Sequence, residues 1–345
     1  MGLLDVEGLT VEYETQHGPV RAVRGVSFSL PAGRALGLVG ESGCGKTTLA
    51  RALIGVLPRN ARITGGHMRF DGVEMLDLSP DRFNEYRWRR IAMVPQAAMD
   101  SLDPVQRVRD QMVETMVLRG GMTRATALAR AEELFRLVGL EPGRLRLFPH
   151  ELSGGMKQRA VIALALTLRP QLVIADEPVT ALDVIVQHQV LRTLRDVRAA
   201  LGVSLLLITH DISVVAHICD DVAVMYAGRI VESGPVAEVF ARPRHPYTMG
   251  LRNAFPSLRA KQDHLVPIEG YPPDLANPPQ GCAFAARCPF AVPRCWDEDP
   301  SLVASGGLAA ACHRADEAPV LRERAAEAFA RIVKDEVPAA PPEAL

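Results

Sequence analysis

Short apolar segments separated by polar or glycine-rich stretches predict alternating strands and helices in the first part of the chain. Residues 9–13 and 26–30 show the partial apolar–polar alternation of half-buried strands. Residues 35–39 form a short apolar run that predicts a buried strand and leads into a glycine-rich turn. Residues 47–57 have helical periodicity, and we expect Pro58 to end that helix because proline cannot continue it.

The same alternation continues towards the middle of the chain. Residues 172–175 and 204–209 are continuous apolar runs, as expected for strands buried on both faces. Residues 123–138 and 156–168 have helical patterns. Strands that alternate with helices in this way predict an α/β fold with a parallel sheet and crossover helices.

The character of the chain changes after residue 255, where proline becomes dense. Four of the six cysteines lie close together in this part, at Cys282, Cys288, Cys295 and Cys312. A helical pattern follows over residues 315–333, and we expect the Pro/Ala-rich tail to be disordered. We therefore divide the chain into an α/β domain, residues 1–255, and a small loop-rich C-terminal extension, residues 256–345. No internal repeat with a period of 20–50 residues is visible.

Composition and charge narrow the class of protein. Hydrophobic residues make up 48% and charged residues 23% of the chain, so a large core is expected. The formal net charge of -1 does not indicate nucleic-acid binding, and we expect no nucleic-acid partner. No run of 18 apolar residues and no signal peptide are apparent, so we expect a cytoplasmic protein that reaches a membrane only by docking on a partner.

The strongest local signal is a glycine-rich sequence between the predicted strand 35–39 and the following helix. It fits G-x-x-x-x-G-K-[ST], a phosphate-binding P-loop in the strand–turn–helix context that supports the assignment. Its glycines permit unusual backbone conformations, and successive N–H groups form an anion nest. We expect Lys46 to reach the β- and γ-phosphates and Thr47 to bind Mg²⁺. The predicted nucleotide-binding residues are Gly40, Glu41, Ser42, Gly43, Cys44, Gly45, Lys46, Thr47 and Thr48.

Cys44 allows two interpretations. It is either a small residue that fits the turn or a thiol whose oxidation or alkylation would block ATP binding.

Two adjacent carboxylates follow the apolar run 172–175. Ligands of α/β proteins bind at the carboxyl ends of the strands, where Asp176 and Glu177 would lie. Asp176 is suited to hold Mg²⁺. Glu177 is suited to act as the general base that activates water. A strand that simply ends in solvated acids is the structural alternative.

A third segment, from Leu152 to Arg159, reads LSGGMKQR. Ser153 can cap a helix, and Gly154 and Gly155 leave backbone N–H groups open at its positive end, which attracts phosphate. An ordinary helix cap would explain Ser-Gly-Gly alone. Placed after a P-loop and shortly before Asp176-Glu177, the segment resembles the signature motif of ABC (ATP-binding cassette) ATPases.

The resemblance to ABC nucleotide-binding domains covers about residues 3–255 and implies further roles. Tyr13 is similar to the aromatic residue that stacks on adenine, and Asp183 to the D-loop aspartate. Gln96 is similar to the Q-loop glutamine that contacts Mg²⁺ and water, and His210 to the switch histidine at the γ-phosphate. We therefore predict Glu177, His210 and Gln96 as catalytic residues, and Thr47, Gln96 and Asp176 as Mg²⁺ ligands.

The resemblance also implies an architecture and a set of partners. The fold would be an ABC-type P-loop NTPase with an antiparallel β subdomain and a helical subdomain at about residues 97–168. A second ABC subunit, in a homo- or heterodimer, would complete each ATP site with its signature helix. Two transmembrane permease subunits and an extracytoplasmic solute-binding protein would complete the transporter. The chain itself would lie peripherally on the cytoplasmic face of the inner membrane.

Smaller details resemble the dipeptide/oligopeptide importer branch. They include the segments 178–184, 224–232 and 245–248, and PPDL, GCAF and RCP after residue 271. The function implied is ATP hydrolysis that powers di- or oligopeptide import. Importers of nickel, glutathione or other small solutes are related alternatives. The remaining alternative functions are a soluble ABC ATPase of DNA repair or translation, an exporter ATPase, and a metal- or redox-sensing regulator.

The four clustered cysteines have the spacing C-x5-C-x6-C-x16-C. In a chain without an export signal, such clustering favours metal binding over disulfides. The spacing alone leaves zinc, an iron–sulfur cluster and unligated thiols open, with zinc slightly favoured. The resemblance implies a [4Fe-4S] cluster at Cys282, Cys288, Cys295 and Cys312, with Zn²⁺ as the alternative.

Overall fold

Two β-sheets and the helices around them organise the computed structural model, which describes residues 2–96, 100–180, 182–254 and 267–335, with side chains to residue 331. The strands are β1 (Leu4–Thr15), β2 (Gly18–Leu30), β3 (Ala35–Val39), β4 (Ala61–Phe70), β5 (Val73–Glu74), β6 (Ile91–Val94), β7 (Leu172–Asp176), β8 (Ser204–Thr209), β9 (Asp221–Tyr226), β10 (Arg229–Pro235), β11 (Val303–Ser305) and β12 (Leu308–Ala310).

The helices lie between and around these strands. They are α1 (Lys46–Leu53), α2 (Pro80–Tyr86), α3 (Val108–Leu118), α4 (Arg124–Leu137), α5 (Gly154–Ala165), α6 (Val184–Leu201), α7 (Ile212–Ile218), α8 (Val236–Ala241), α9 (Pro246–Asn253), α10 (Arg294–Asp297) and α11 (Ala318–Asp335). The predicted start of the helix 156–168 was two residues late, because Ser153 caps α5 so that Gly154 already lies in its first turn.

The first sheet is antiparallel, with strand order β2-β1-β4-β5. The second is mixed, and its order among the described residues is β11-β12-β10-β9-β3-β8-β7-β6. Strands β9, β3, β8, β7 and β6 are parallel. The predicted parallel sheet and antiparallel subdomain are therefore both confirmed.

Burial explains why the central strands were clear in the sequence. Every residue of β3, β7 and β8 is buried, which matches their continuous apolar runs. Helix α1 packs between the two sheets in a core that contains Leu49 of α1 and Leu9 of β1. A separate core joins α3, α4, α5 and α6 to the far face of the parallel strands. This core includes the predicted helical subdomain.

Helix α1 ends four residues earlier than predicted. It stops at Leu53, and Gly55 adopts a left-handed conformation with φ 66°. The Gly55 N–H then bonds to the Ala52 carbonyl and the Val56 N–H to the Arg51 carbonyl, which satisfies the helix end. Gly55, rather than Pro58, is therefore the signal that ends this helix.

The C-terminal extension is joined to the mixed sheet, which the sequence pattern did not predict. The hairpin β11–β12 turns at Gly306 and Gly307, and β12 pairs with the edge strand β10. Phe284 and Phe329 of the extension share a core with Tyr226 and Tyr247 of the α/β domain. The proposed domain boundary at residues 255/256 and the tail beyond residue 335 lie outside the described residues.

Packing of α11 predicts the stability of the extension. Phe329 is 2% exposed and belongs to the core shared with Tyr247. We expect Phe329→Ala to lower the free energy of unfolding by about 3–5 kcal/mol, because it leaves a cavity in that core. Urea unfolding followed by tryptophan fluorescence measures the change. Val320→Ala on the same helix is the control, since Val320 is 57% exposed. Equal stabilities of the two variants would contradict this packing role.

Candidate active site

The P-loop follows β3 and enters α1, and its glycines are required by close backbone contacts. A Cβ on Gly40 would lie 2.1 Å from the Met225 carbonyl oxygen, and one on Gly45 would lie 2.2 Å from that of Ala22. Gly43 and Gly45 have φ values of 79° and 101°, in the left-handed region that favours glycine. Ser42 and Gly43 are exposed at the crest of the loop. The loop therefore presents its backbone at the N-terminus of α1, where helix amides lack intrahelical acceptors.

Lys46 and Thr47 begin α1 directly below this loop. The Lys46 ammonium donates to the carbonyl oxygens of Gly40 at 2.6 Å and Glu41 at 2.8 Å, and its side chain is buried. Thr47 Oγ1 donates to Asp176 Oδ1 at 3.4 Å, which joins the P-loop to the end of β7. Lysine, threonine and carboxylate thus lie together where phosphate and Mg²⁺ are predicted.

Asp176 has the properties of an unsatisfied metal ligand. Its side chain is fully buried, and Oδ2 has no hydrogen-bond partner among the described residues. Burial raises the pKa of Asp176, and the neighbouring Glu177 adds to the rise, while Thr47 and Lys46 oppose it. A divalent cation would provide the missing partner of Oδ2 and would favour the ionised form.

Glu177 is the centre of a small polar cluster. Its Oε2 accepts hydrogen bonds from Gln96 Nε2 at 3.4 Å and Thr180 Oγ1 at 2.8 Å. Its Oε1 lies 3.3 Å from His210 Nδ1. Glu177 also has a φ of 47°, a backbone conformation that is uncommon for residues other than glycine and often marks functional sites. The structure therefore places the other two predicted catalytic residues, Gln96 and His210, at the Glu177 carboxylate. Thr180 belongs to this cluster, although the sequence pattern did not single it out.

Tyr13 lies on β1 beside the P-loop helix. Its hydroxyl group is 3.2 Å from Thr48 Oγ1, and its ring is half-buried. Tyr13 therefore lies next to α1, and its contact with a base stays a prediction.

The signature segment and Asp183 form a second group. Ser153 Oγ caps α5 by accepting from the Met156 N–H, and Asp183 caps α6 by accepting from the Val186 N–H. A Cβ on Gly155 would lie 2.3 Å from Val186, so the two helix starts pack closely. No hydrogen bond or ion pair connects Ser153, Gly154, Gly155 or Asp183 with residues 40–48 in the described part of the chain.

The P-loop also contacts the C-terminal extension, which the sequence did not reveal. The Glu41 carboxylate forms an ion pair with Arg287, and the Glu41 N–H donates to the Tyr247 hydroxyl at 2.9 Å. In the sequence, Arg287 and Tyr247 were noted only as members of short segments that resemble the dipeptide/oligopeptide importer branch. No periodicity connects them with residue 41.

The four clustered cysteines line one small enclosed cavity with Phe284, Phe290, His245 and His313. All four cysteines are free thiols. Burial raises the pKa of Cys282 to about 11, of Cys288 to about 12 and of Cys312 to about 11. The Arg314 N–H donates to Cys312 Sγ at 3.4 Å and opposes the shift of the Cys312 pKa.

Within residues 2–96, 100–180, 182–254 and 267–335, no three or more His, Cys, Asp or Glu side chains are grouped so that they could hold a metal ion. Both the iron–sulfur and the zinc assignment therefore remain predictions.

Cys44 has the character of a structural residue. It is 2% exposed, and burial raises its pKa. A buried thiol with a raised pKa reacts slowly, because the thiolate is the nucleophile. The structure therefore favours the packing interpretation of Cys44 over the oxidation-sensitive one.

Comparisons with known proteins identify the family of this chain. The sequence matches the ABC transporter family over residues 23–180 and the C-terminal region of oligopeptide/dipeptide transporters over residues 231–295. The probable peptide ABC transporter ATP-binding protein y4tR of Sinorhizobium fredii is 46% identical, over 91% of this chain and 96% of that protein. The oligopeptide transport ATP-binding protein OppD of Salmonella typhimurium is 44% identical, over 90% and 93%.

Solved structures show the same fold. The post-hydrolysis dimer of the cassette MJ0796, bound to ADP and phosphate, is 24% identical with a TM-score of 0.61, over 68% of this chain and 98% of that chain. The transporter component cbiO1 from Clostridium perfringens is 27% identical with a TM-score of 0.61, over 73% and 95%.

Fold and site together define a P-loop ATPase of the ATP-binding cassette type. The chain belongs to the ATP-binding proteins of ABC transporters, in the oligopeptide/dipeptide branch. Among the described residues, no helix has the length and apolar character needed to cross a membrane.

The cluster around Glu177 predicts a separation of binding from turnover. We expect Glu177→Gln to retain ATP binding and to lower the turnover number about 100-fold or more, because the amide cannot accept a proton from water. Lys46→Ala should instead weaken nucleotide binding itself. Fluorescent-nucleotide titration and steady-state phosphate release measure the two effects. Glu114→Gln, on the exposed face of α3, is the control, and normal hydrolysis by Glu177→Gln would refute the assignment.

Proposed function

We propose that this chain is the ATP-hydrolysing subunit that powers the import of di- or oligopeptides through an ABC transporter. The observation that supports it best is the cluster of Gln96, Glu177 and His210 beside a P-loop, on a chain whose extension has the peptide-importer sequence. A regulator that only senses metal or redox state would not need this set of side chains.

The residues can be given roles in ATP hydrolysis. The P-loop backbone and Lys46 bind the phosphates, and Tyr13 stacks on the adenine. Thr47, Asp176 and Gln96 would hold Mg²⁺, which neutralises charge on the phosphates. Glu177 accepts a proton from the attacking water, whose oxygen bonds to the γ-phosphorus as the bond to the bridging oxygen of ADP breaks. His210 contacts the γ-phosphate, and the products are ADP and phosphate.

A second cassette, either a copy of this chain or a related one, would complete each site. Ser153, Gly154, Gly155 and Asp183 lie at the N-termini of α5 and α6, where phosphate binds favourably. Val184 and Ile185, directly after Asp183, are 68% and 72% exposed. Exposed apolar residues beside an unused anion site are expected at the face that a second cassette covers.

The remaining partners follow from the importer function. Two permease subunits would bind the cassette pair at the cytoplasmic face of the inner membrane, and an extracytoplasmic binding protein would supply the solute. By its resemblance to ABC cassettes, the segment 97–104 after Gln96 would contact a short cytoplasmic helix of a permease subunit; residues 97–99 of this segment lie outside the described residues. The choice of peptide rests on the importer-like segments between residues 178 and 248 and in the extension.

Reconstitution tests the transported solute. We expect the chain to copurify with two polytopic membrane proteins encoded beside it. ATP hydrolysis in the reconstituted assembly should rise several-fold with the peptide-loaded binding protein, since transport and hydrolysis are coupled. The control is the same assembly with Glu177→Gln. Stimulation by nickel or glutathione instead of peptide would change the solute and leave the importer assignment intact. Copurification with DNA or ribosomes would refute import.

We propose further that the four clustered cysteines hold a [4Fe-4S] cluster. Four thiols lining one cavity, with the Arg314 N–H donating to Cys312 Sγ at 3.4 Å, form a possible Cys₄ donor set. The bound group would stabilise a proline-rich segment with little core of its own.

Metal analysis tests the cluster. Anaerobically purified protein should be brown and contain about four irons per chain. Cys288→Ser should lower the iron content and increase protease cleavage of the extension, while ATP hydrolysis is retained at least in part. Cys219→Ser is the control, because Cys219 lies outside the cavity. Stoichiometric zinc without iron would replace the cluster by a structural zinc site, and absence of both metals would refute metal binding.

A further inference from the structure

A buried ion pair joins the extension to the P-loop. Arg287 Nη1 lies 2.7 Å from Glu41 Oε2, and Nη2 lies 3.1 Å from Glu41 Oε1, so the pair is bidentate. The Arg287 side chain is 7% exposed and that of Glu41 is 24% exposed. Glu41 is the second residue of the P-loop, and 246 positions separate the two residues in the sequence. Bidentate arginine–carboxylate pairs fix orientation as well as distance.

Every N–H of the Arg287 guanidinium has an acceptor. Besides the two bonds to Glu41, Nε donates to the Glu269 carbonyl at 2.9 Å and Nη2 to the Ile268 carbonyl at 3.1 Å. Nη1 also donates to the Tyr226 hydroxyl at 3.2 Å. These five bonds use the five donors of arginine in its planar arrangement. Lysine, with a single nitrogen, cannot reproduce this set.

Glu41, the carboxylate partner in this ion pair, also contacts the predicted phosphate-binding residue Lys46 through its main-chain carbonyl group. The carbonyl oxygen of Glu41 accepts from Lys46 Nζ at 2.8 Å and from the Cys44 N–H at 3.3 Å. The Glu41 N–H donates to the buried Tyr247 hydroxyl. Glu41 is therefore held by Arg287 and Tyr247 on one side and is bonded to Lys46 on the other.

We propose that Arg287 is a positioning residue for the nucleotide site, through which the extension sets the affinity of the P-loop for ATP. Arg287 fixes the Glu41 side chain, and Glu41 fixes the loop backbone that surrounds Lys46. Arg287 also directly precedes Cys288 and follows Phe284 in a short helical turn, so one residue connects the cysteine-lined cavity with the P-loop. The inference requires that the P-loop binds ATP, as proposed above.

Arg287→Gln tests the proposal directly. We expect the Kd and KM for ATP to rise about tenfold, within the usual range of coupling between sites, while kcat changes by less than about twofold. Glu41→Gln should have a similar effect. The double variant should bind ATP no more weakly than the weaker single variant, because both changes break the same interaction. Arg287→Lys should not restore the affinity. Unchanged Kd and KM in folded Arg287→Gln would overturn the proposal.

Arg322→Gln is the matched control. Arg322 belongs to α11 and donates to the Pro243 carbonyl, so the variant removes a different contact between the extension and the α/β domain. We expect its Kd for ATP to stay within about twofold of the unmodified chain. An equal loss of affinity in Arg322→Gln and Arg287→Gln would show general loosening of the extension and would overturn a specific role for Arg287.

Hydrogen exchange provides a second measurement that needs no folded Arg287 variant. Coupling between sites is reciprocal, so ATP should slow amide exchange in residues 268–290 of the unmodified chain. ATP should have no such effect in Lys46→Ala. Unchanged exchange at saturating ATP would overturn the inference. If the unmodified chain bound no ATP, the proposed function would fail as well, whereas normal ATP binding with an unaffected Arg287→Gln would refute this inference alone.

Discussion

The parallel alignment of four neighbouring strands is the constraint on which the nucleotide site depends. Strands β3, β8, β7 and β6 are adjacent in the sheet, and each ends at the same edge. Lys46, His210, Glu177 and Gln96 follow these strands in that order. Because each strand is fixed by hydrogen bonds to its neighbours and by buried apolar side chains, the polar residues beyond it are placed with little freedom. The geometry of the candidate site is thereby a consequence of sheet packing.

At this edge of the sheet, burial makes the ionised form of Asp176 electrostatically unfavourable. Asp176 is removed from water at the end of a strand, and its carboxylate has one weak donor, Thr47 Oγ1 at 3.4 Å. An isolated buried carboxylate is unfavourable, and either protonation of Asp176 or a bound cation would relieve this cost. Glu177, one residue later, turns out of the strand with φ 47° and meets three polar partners. Adjacent acids thus have different environments and can perform different tasks.

Sequence reasoning succeeded where a single local rule determines the structure. The strands 35–39 and 204–209 were predicted with their observed bounds, because both are continuous apolar runs buried on both faces. Helix α1 ended early because Gly55, and not Pro58, supplies the left-handed turn. The hairpin β11–β12 was missed, since strands of three residues show no measurable alternation. The pairing of Glu41 with Arg287 depends on tertiary contact across the whole chain, which no local pattern encodes.

Three kinds of interaction hold the extension to the α/β domain: strand pairing, apolar packing and an ion pair. Strand β12 pairs with β10, so the outer strand of the large sheet on this side is the three-residue β11, and short edge strands offer little surface for pairing with other chains. Phe284 and Phe329 bury apolar surface against Tyr226 and Tyr247, which supplies a core that the proline-rich segment lacks. The Arg287–Glu41 pair adds orientation to these less directional contacts. Because main-chain, apolar and ionic contacts all act between the same two regions, the P-loop and the cysteine-lined cavity are parts of one structural unit.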